Sequence, residues 1–283
     1  MTEPLSLENR LEMSSVCAIE QLDNTMFRST AVYRADDGPR HGGRGNPVFG
    51  GQVAAQALLA AGATVGDREA HSLHAYFLRP GRTDHPIDFA VEVERDGRSY
   101  SSRGVAAIQG GQTIFSMSAS FRVHRDEVAG LGADEVGGSG TAERARPDVP
   151  EPQDCEPLDI EPEIAVEIRM CTKPTRVQYF PTLFWARPHG LAGESHADSA
   201  VALAYVSDFS TGLPRERGPW TLGPSLDHSL WLHRPFVWSD WVLVEMSAGV
   251  VTQGRGHYTG TITDRRGEPV ASFAQEMVYL VAR

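Results

Sequence analysis

One stretch of the chain, residues 49–65, limits the possible folds more than any other. It reads FGGQVAAQALLAAGATV, and beyond Gln52 it consists largely of alanine, leucine and valine. A helix of this composition is apolar on nearly all sides, so it has to be buried all round. Its small side chains allow a sheet to approach closely. The strands that follow in the sequence are therefore expected to wrap around this helix.

Segments with strand-like patterns flank the predicted helix. In the first half of the chain, alternation and glycine-containing turns predict strands at residues 26–33, 71–80, 88–97, 99–109 and 113–123. The second half repeats this plan, with a helix predicted at 194–210, whose first turn is acidic as the helix dipole favours. The strands predicted there are residues 163–170, 182–188, 226–236, 241–250, 254–264 and 269–280.

A short repeat supports duplication of this plan within the chain. The fragment H-S-L followed by R-P begins at His71 and again at His228, although the two spacings to the arginine differ. A buried, alanine-rich helix followed by several antiparallel strands is typical of the hotdog fold. We therefore predict an α+β double hotdog, with two tandem units that each wrap an antiparallel sheet around a buried central helix.

Residues 125–163 differ in composition from the rest of the chain. They are rich in glycine, proline and acidic residues and contain almost no aromatic or long apolar side chains. Such a segment cannot bury enough surface to order itself. We predict a flexible acidic linker at 125–163, between an N-terminal hotdog at 1–124 and a C-terminal hotdog at 164–283.

Charge, cysteine content and missing motifs narrow the functional classes. A formal net charge of -11 disfavours a nucleic-acid partner, which would require a basic surface. An odd number of cysteines without paired spacing indicates reduced thiols, and no signal peptide or membrane-spanning stretch is recognisable. We expect a cytoplasmic protein. No H-E-x-x-H, C-x-x-C, G-x-S-x-G or Walker A motif occurs, so we expect no metal site and no nucleotide or α/β-hydrolase fold.

Gln275 is a polar residue in an apolar setting. In the last predicted strand it shares one face with Ala271, Phe273, Met277 and Tyr279, and this face is expected to meet the central helix. A buried primary amide must find partners, because leaving it unsatisfied costs about 1–3 kcal/mol. Gln275 is therefore either a site residue or a core glutamine that is bonded to the backbone.

Asp208 ends an otherwise apolar stripe of the second predicted helix. It follows Val201, Ala204 and Tyr205 at helical spacing. The alternative is that the helix has emerged into solvent by this point, so that the carboxylate is hydrated or caps the next turn. The negative end of the helix dipole also mildly disfavours a carboxylate there.

The residues around His228 invite comparison with a hydrolytic triad. Consecutive strand residues alternate between faces, so the side chains of Asp227, His228 and Ser229 cannot converge, and this triad is excluded. The same alternation places Ser225 on the face of Asp227 and Ser229. His228 lies on the opposite, apolar face and is interpreted as a hydrogen-bonded core histidine.

Gly50, Gly51 and Gln52 begin the first predicted helix. A helix start offers free N–H groups and the positive end of the dipole, which suit a carbonyl oxygen that gains charge. Packing explains the glycines equally well, because glycine lets the turn approach the sheet. The two interpretations stay open on the pattern alone.

Several segments together resemble the acyl-CoA thioesterase II family of double-hotdog enzymes. The linker and residues 164–200 match poorly, but the resemblance covers both halves of the chain. The matching segments are VFGGQVAAQAL at 48–58, HSLHAYFLRPG at 71–81, residues 95–121, AYVSD at 204–208, SLDHSLWLHRPF at 225–236 and PVASFAQEM at 269–277.

In that family an aspartate, a threonine or serine, and a glutamine position and activate the nucleophilic water. The resemblance implies that Asp208, Ser225 and Gln275 do so here, where Ser225 retains the hydroxyl that some members supply from threonine. It implies hydrolysis of fatty acyl-CoA to a free fatty acid and coenzyme A without a bound cofactor. It also suggests a homo-oligomer, a dimer or tetramer. We expect N–H groups near Gly51 and Gln52 to polarise the thioester carbonyl.

Two alternatives remain on the sequence. A hotdog enoyl-CoA hydratase or dehydratase would need an aspartate–histidine pair facing the substrate, with His228 or His71 as the histidine. Neither residue lies in a recognisable hydratase motif. A non-catalytic acyl-CoA binding protein is the other alternative, and the intact set of Asp208, Ser225 and Gln275 argues against it.

Overall fold

A computed structural model describes residues 11–30, 47–123, 148–158, 164–175, 178, 180–191 and 195–281. The helices are α1 (Met13–Val16), α2 (Gly50–Gly62) and α3 (His196–Ser207), and a 3-10 helix spans Pro152–Asp154. The strands are β1 (Ile19–Asp23), β2 (Met26–Ser29), β3 (Arg68–Phe77), β4 (Asp88–Asp96), β5 (Tyr100–Gln109), β6 (Gln112–Val123), β7 (Glu156–Pro157), β8 (Val166–Met170), β9 (Leu183–Pro188), β10 (Glu216–Arg217), β11 (Trp220–Ser225), β12 (Asp227–Leu232), β13 (Val242–Thr252), β14 (Arg255–Asp264) and β15 (Pro269–Val281).

The two long helices are buried all round, as their composition predicts. Ten residues of α2 and nine of α3 are buried, and the two helices contact each other. The polar side chains of α2 have partners: the amides of Gln52 and Gln56 both donate to the carbonyl oxygen of Val16. Among the residues described, no helix is both long and apolar enough to cross a membrane.

The described strands form one continuous sheet. Its order is β1-β2-β4-β5-β6-β3-β12-β15-β14-β13-β9-β8-β7, and β11 lies beside β15 with β10 at its edge. Every pairing is antiparallel, so the chain has the predicted double hotdog architecture, with α2 against the N-terminal strands. The predicted strands are present within a few residues, whereas the short strands β1, β7, β10 and β11 were not predicted.

The two units meet where β3 pairs with β12. These strands carry the two H-S-L fragments, and the leucines of the fragments, Leu73 and Leu230, are direct cross-strand partners. Equivalent residues that face each other in an antiparallel pair lie on a local two-fold axis. The pairing therefore agrees with an internal duplication and places the local two-fold axis between β3 and β12.

The predicted linker is described only over residues 148–158. There β7 pairs with β8, Val149 and Cys155 are buried, and the indole N–H of Trp185 donates to the carbonyl oxygen of Pro150 at 2.8 Å. Residues 148–158 thus pack against strands of the C-terminal unit. Residues 125–147 and 159–163 of the predicted linker lie outside the described residues, so its flexibility and the boundaries at 124 and 164 stay predictions.

Candidate active site

The end of α3 and the inner face of β15 bring Asp208 and Gln275 together. Ser195 caps α3 by accepting the backbone N–H of Asp198, and the helix ends at Ser207, so Asp208 is the first residue beyond it. In β15, Gln275 lies on the predicted inward face. Its side chain is 1% exposed, whereas Asp208 is only partly buried.

Asp208, Ser225 and Gln275 form one hydrogen-bonded cluster. The amide Nε2 of Gln275 donates to Asp208 Oδ1 at 2.8 Å and to Ser225 Oγ at 2.5 Å. The hydroxyl of Ser225 in turn lies 3.5 Å from Asp208 Oδ1 and donates to it. Asp208 and Ser225 are both partly exposed, whereas Gln275 is buried.

The predicted face of Ser225 is wrong. The sequence pattern treats Ser225 as part of the strand that contains Asp227, but Ser225 ends β11, and the pairing of β11 with β15 has an irregularity between Leu222 and Ser225. The strands β11 and β12 are separated at Leu226, whose N–H donates to the carbonyl oxygen of Glu276. Simple alternation does not extend across this break, and Ser225 therefore reaches the cluster.

The excluded triad diverges as predicted. Asp227 accepts the backbone N–H of Glu276 at 2.8 Å, and Ser229 contacts His74 at 3.0 Å. His228 points to the other side of β12 and is fully buried. These neighbours in sequence therefore form no common site.

His228 and Ser207 form a buried chain of hydrogen bonds behind the cluster. The Nδ1 atom of His228 lies 2.5 Å from Gln275 Oε1, and its Nε2 atom lies 2.8 Å from Ser207 Oγ. His228 is the hydrogen-bonded core histidine that the sequence predicts, but the strand pattern does not predict its link to Gln275. Ser207 is a further residue that the pattern does not predict, although a hydroxyl in an otherwise apolar, buried helix is a signal for it.

The start of α2 contacts the same carboxylate. The backbone N–H of Gly51 donates to Asp208, and the N–H of Gln52 donates to the carbonyl oxygen of Phe49 at 3.2 Å. A Cβ atom on Gly50 would lie 2.5 Å from Asp208 Oδ2. Both N–H groups thus have acceptors within the chain, and their expected role in polarising the substrate carbonyl stays a prediction.

The electrostatics of the cluster follow from its burial. Removal from water raises the pKa of Asp208 from 3.8 to about 6, although hydrogen bonds from Gln275, Ser225 and Gly51 act in the opposite direction. Burial lowers the pKa of His228 to about 4, so its imidazole is neutral at physiological pH. Asp208 is therefore a carboxylate near neutral pH and becomes a carboxylic acid with a modest fall in pH.

The described part of the chain contains no group of three or more histidine, cysteine, aspartate or glutamate residues that could hold a metal ion. The cluster itself offers one carboxylate, one hydroxyl and one amide. This set can hold a water molecule by hydrogen bonds and accept a proton from it.

Comparisons with known proteins agree with this fold. Models of the acyl-CoA thioesterase N-terminal and C-terminal domains match residues 39–122 and 143–279. Acyl-CoA thioesterase 2 of Haemophilus influenzae is 33% identical over 91% of this chain and 93% of its own length. Acyl-coenzyme A thioesterase 8 of Mus musculus is 30% identical over 94% of this chain and 88% of its own length.

Solved structures give the same result. An acyl-CoA thioesterase II from Mycobacterium marinum superposes with a TM-score of 0.73 at 29% identity, covering 95% of this chain and 98% of its own. Fold and comparisons thus define a hotdog thioester hydrolase. The chain belongs to the acyl-CoA thioesterase II family and hydrolyses acyl-CoA thioesters.

Proposed function

We propose that Asp208, Ser225 and Gln275 activate the water molecule that attacks the acyl-CoA thioester. The observation that carries this proposal is the convergence of an amide and a hydroxyl on one oxygen of a partly exposed carboxylate. The amide and the hydroxyl restrain the carboxylate and leave it able to accept a proton. A water molecule on the exposed side would be held by Asp208 and Ser225, which fixes its line of attack.

The reaction follows from these roles. Asp208 takes a proton from water as the water oxygen bonds to the thioester carbonyl carbon, and the resulting tetrahedral intermediate expels the sulfur of coenzyme A. The proton on Asp208 can then pass to the departing thiolate, so the carboxylate is restored. A thiolate is a good leaving group, and strong acid assistance is therefore less necessary than for an amide. The products are a free fatty acid and coenzyme A.

The raised pKa of Asp208 suits this role. A general base works best when its pKa lies near the operating pH, because it is then both deprotonated and basic enough to accept a proton. Burial brings the pKa of Asp208 to about 6, closer to neutrality than that of an ordinary aspartate. The acid form that follows proton transfer is correspondingly able to protonate the thiolate.

The geometry disfavours the hydratase alternative. A hydratase would need a histidine that faces the substrate, yet His228 is fully buried and both of its ring nitrogens are bonded. His71 is bonded to Ser120, and both lie in the N-terminal unit, away from the cluster in the C-terminal unit. Neither histidine pairs with Asp208.

We further propose a cytoplasmic homo-oligomer, a dimer or tetramer. The support for the compartment is the presence of three free cysteines. The support for assembly is the family resemblance, together with aromatic side chains such as Tyr76 and Trp231 that are exposed on the paired strands β3 and β12. Sedimentation equilibrium of the purified chain measures the oligomeric state directly.

Release of free thiol from acyl-CoAs of graded chain length tests the proposed mechanism. We expect the wild-type protein to release thiol and Asp208→Asn to lower kcat by about 100-fold to about 10,000-fold, because the general base is lost. Asp67→Asn is the matched control, since Asp67 is exposed in the turn before β3 and should leave kcat unchanged. Full activity of Asp208→Asn would refute the mechanism.

A further inference from the structure

Ser207 and His228 have no part in the mechanism so far, although both are buried directly behind the cluster. We infer that His228, held by Ser207, is a positioning residue that fixes which way the amide of Gln275 faces. This inference rests on the proposed function, because it concerns how the water-activating cluster is kept in its working arrangement. It assigns no contact with substrate to either residue.

A glutamine amide has two possible orientations, and only one serves Asp208. In the observed orientation both N–H bonds of Nε2 are used, one toward Asp208 and one toward Ser225. Rotation of the amide by half a turn would place Oε1 against the carboxylate of Asp208, and two acceptors would then face each other. Gln275 is buried, so water cannot relieve this repulsion.

His228 selects the working orientation by donating to Oε1. The contact between His228 Nδ1 and Gln275 Oε1 is a hydrogen bond only when Nδ1 carries the proton, because the amide oxygen can only accept. A proton on Nε2 instead would leave Nδ1 as an acceptor, and the amide would then turn its Nε2 toward the ring. The tautomer of the imidazole and the orientation of the amide are therefore coupled.

Ser207 holds His228 in the required tautomer. Burial keeps the imidazole neutral, so one ring nitrogen must accept, and the hydroxyl of Ser207 lies 2.8 Å from Nε2. The same hydroxyl lies 3.1 Å from the carbonyl oxygen of Ala204, which is its alternative acceptor. One hydroxyl proton can serve only one of these two acceptors; because Gln275 Oε1 can only accept, Nδ1 carries the ring proton, and Nε2 then has to accept the proton of the Ser207 hydroxyl.

The duplicated fragment in the N-terminal unit provides an internal comparison. His71 opens the first H-S-L fragment as His228 opens the second, but His71 contacts Ser120 Oγ at 2.8 Å. Gln275 lies two residues beyond the strand partner of Leu230. The equivalent residue on β6, two beyond Ala119, the partner of Leu73, is Phe121 and not a glutamine. The histidine-to-amide bond thus occurs in the unit that carries Asp208.

Two substitutions separate the loss of the hydrogen-bond donor from the loss of side-chain volume. His228→Asn places an amide N–H where Nδ1 was, whereas His228→Leu offers no polar atom. We expect kcat for His228→Leu to fall about 10-fold to about 100-fold, with KM little changed, because the hydrogen bonds to the carboxylate are misdirected. His228→Asn should recover most of this loss.

His71→Leu is the matched control and should keep the wild-type kcat, and thermal unfolding should establish that each variant is folded. The positioning role is overturned if folded His228→Leu keeps the wild-type kcat, or if His228→Asn is as slow as His228→Leu.

An activity-independent measurement is the imidazole nitrogen NMR spectrum at neutral pH. Protonation of Nδ1 is expected, and protonation of Nε2 would also overturn the inference. Absence of thiol release by the wild-type protein would instead count against the proposed function.

Discussion

Asp208 lies between a helix end that repels it and a helix start that attracts it. The negative end of the α3 dipole disfavours a carboxylate at this position, whereas the N–H of Gly51, at the positive end of α2, donates to it. The sequence pattern describes α3 alone, so on that pattern a carboxylate hydrated by solvent remains an alternative for Asp208. The start of α2 thus helps to keep the partly buried carboxyl group of Asp208 charged near neutral pH.

The pKa of Asp208 predicts the pH dependence of the reaction. Because the base acts as a carboxylate, kcat/KM should be constant above its pKa, half-maximal near pH 6 and about tenfold lower for each further pH unit below it. Steady-state thiol release across this range measures the profile. A rate that stays constant well below pH 6 would contradict the assignment of Asp208 as the base.

Ser225→Ala tests the same ionisation from another direction. The hydroxyl of Ser225 stabilises the charged form of Asp208, so its removal should move the midpoint of the profile to higher pH as well as lowering the rate. Ser229→Ala is the control, because Ser229 contacts His74 on the opposite side of β12 and should leave the midpoint in place. If the midpoint is unchanged in Ser225→Ala, the hydroxyl of Ser225 does not stabilise the charged form of Asp208, and the prediction is contradicted.

At the scale of elements, the site depends on how closely α2 and α3 approach. A Cβ atom on Gly50 would lie 2.5 Å from Asp208 Oδ2 and 2.8 Å from Phe77 Cε1, and one on Gly51 would overlap the carbonyl oxygen of Tyr205. The glycines therefore admit a neighbouring helix as well as the sheet that the pattern predicts. This contact places the N–H of Gly51 within reach of the carboxylate.

Gly50→Ala should damage activity through this contact. The added methyl group has to displace Asp208 or Phe77, so we expect a loss of about 1–3 kcal/mol in the free energy of unfolding and a lower kcat. Gly62→Ala is the matched control at the other end of α2, where a Cβ atom would meet only Phe121 at 3.9 Å. That substitution should stabilise the helix by about 0.5–1 kcal/mol and spare activity.

Chemical denaturation together with thiol release measures both variants. Wild-type activity and stability in Gly50→Ala would show that the two helices can separate without cost to the site. A destabilised Gly62→Ala would indicate that α2 tolerates no added methyl group at either end, in which case Gly50 has no special position.

Local pattern was sufficient for the elements and insufficient for their contacts. Strand alternation and the composition of the helices placed α2, α3 and the long strands, and alternation put Gln275 on the inner face of β15. The face of Ser225 could not be obtained in this way, because it depends on a break between β11 and β12 and on pairing with β15. The bond between Gly51 and Asp208 joins residues that are distant in sequence, and no local pattern encodes it.

At the scale of the whole molecule, the proposed site occupies one of two equivalent places. Asp208 is the first residue after α3, and the equivalent first residue after α2 is Ala63. Gln275 lies in β15 two residues beyond the partner of Leu230, and the residue two beyond the partner of Leu73 in β6 is Phe121. Two apolar side chains therefore replace the carboxylate and the amide in the N-terminal unit.

Because the N-terminal unit lacks the carboxylate and the amide, we predict one substrate site per chain. Titration calorimetry with a thioether analogue of an acyl-CoA, which cannot be hydrolysed, should give one molecule bound for each chain. Asp208→Asn should keep this stoichiometry, because it removes the base and retains the shape of the site. Two molecules bound per chain would indicate that the N-terminal unit retains a working pocket despite Ala63 and Phe121.

The contact between Gly51 and Asp208 has a consequence for the history of the gene. In a duplicated gene, a copy that keeps the reactive side chains frees the other copy from selection on chemistry. Here that freedom is bounded, because the N-terminal unit supplies the N–H of Gly51 and the strand β3 that completes the sheet of the C-terminal unit. We therefore expect deletion of the N-terminal unit to abolish catalysis, although that unit lacks the carboxylate and the amide.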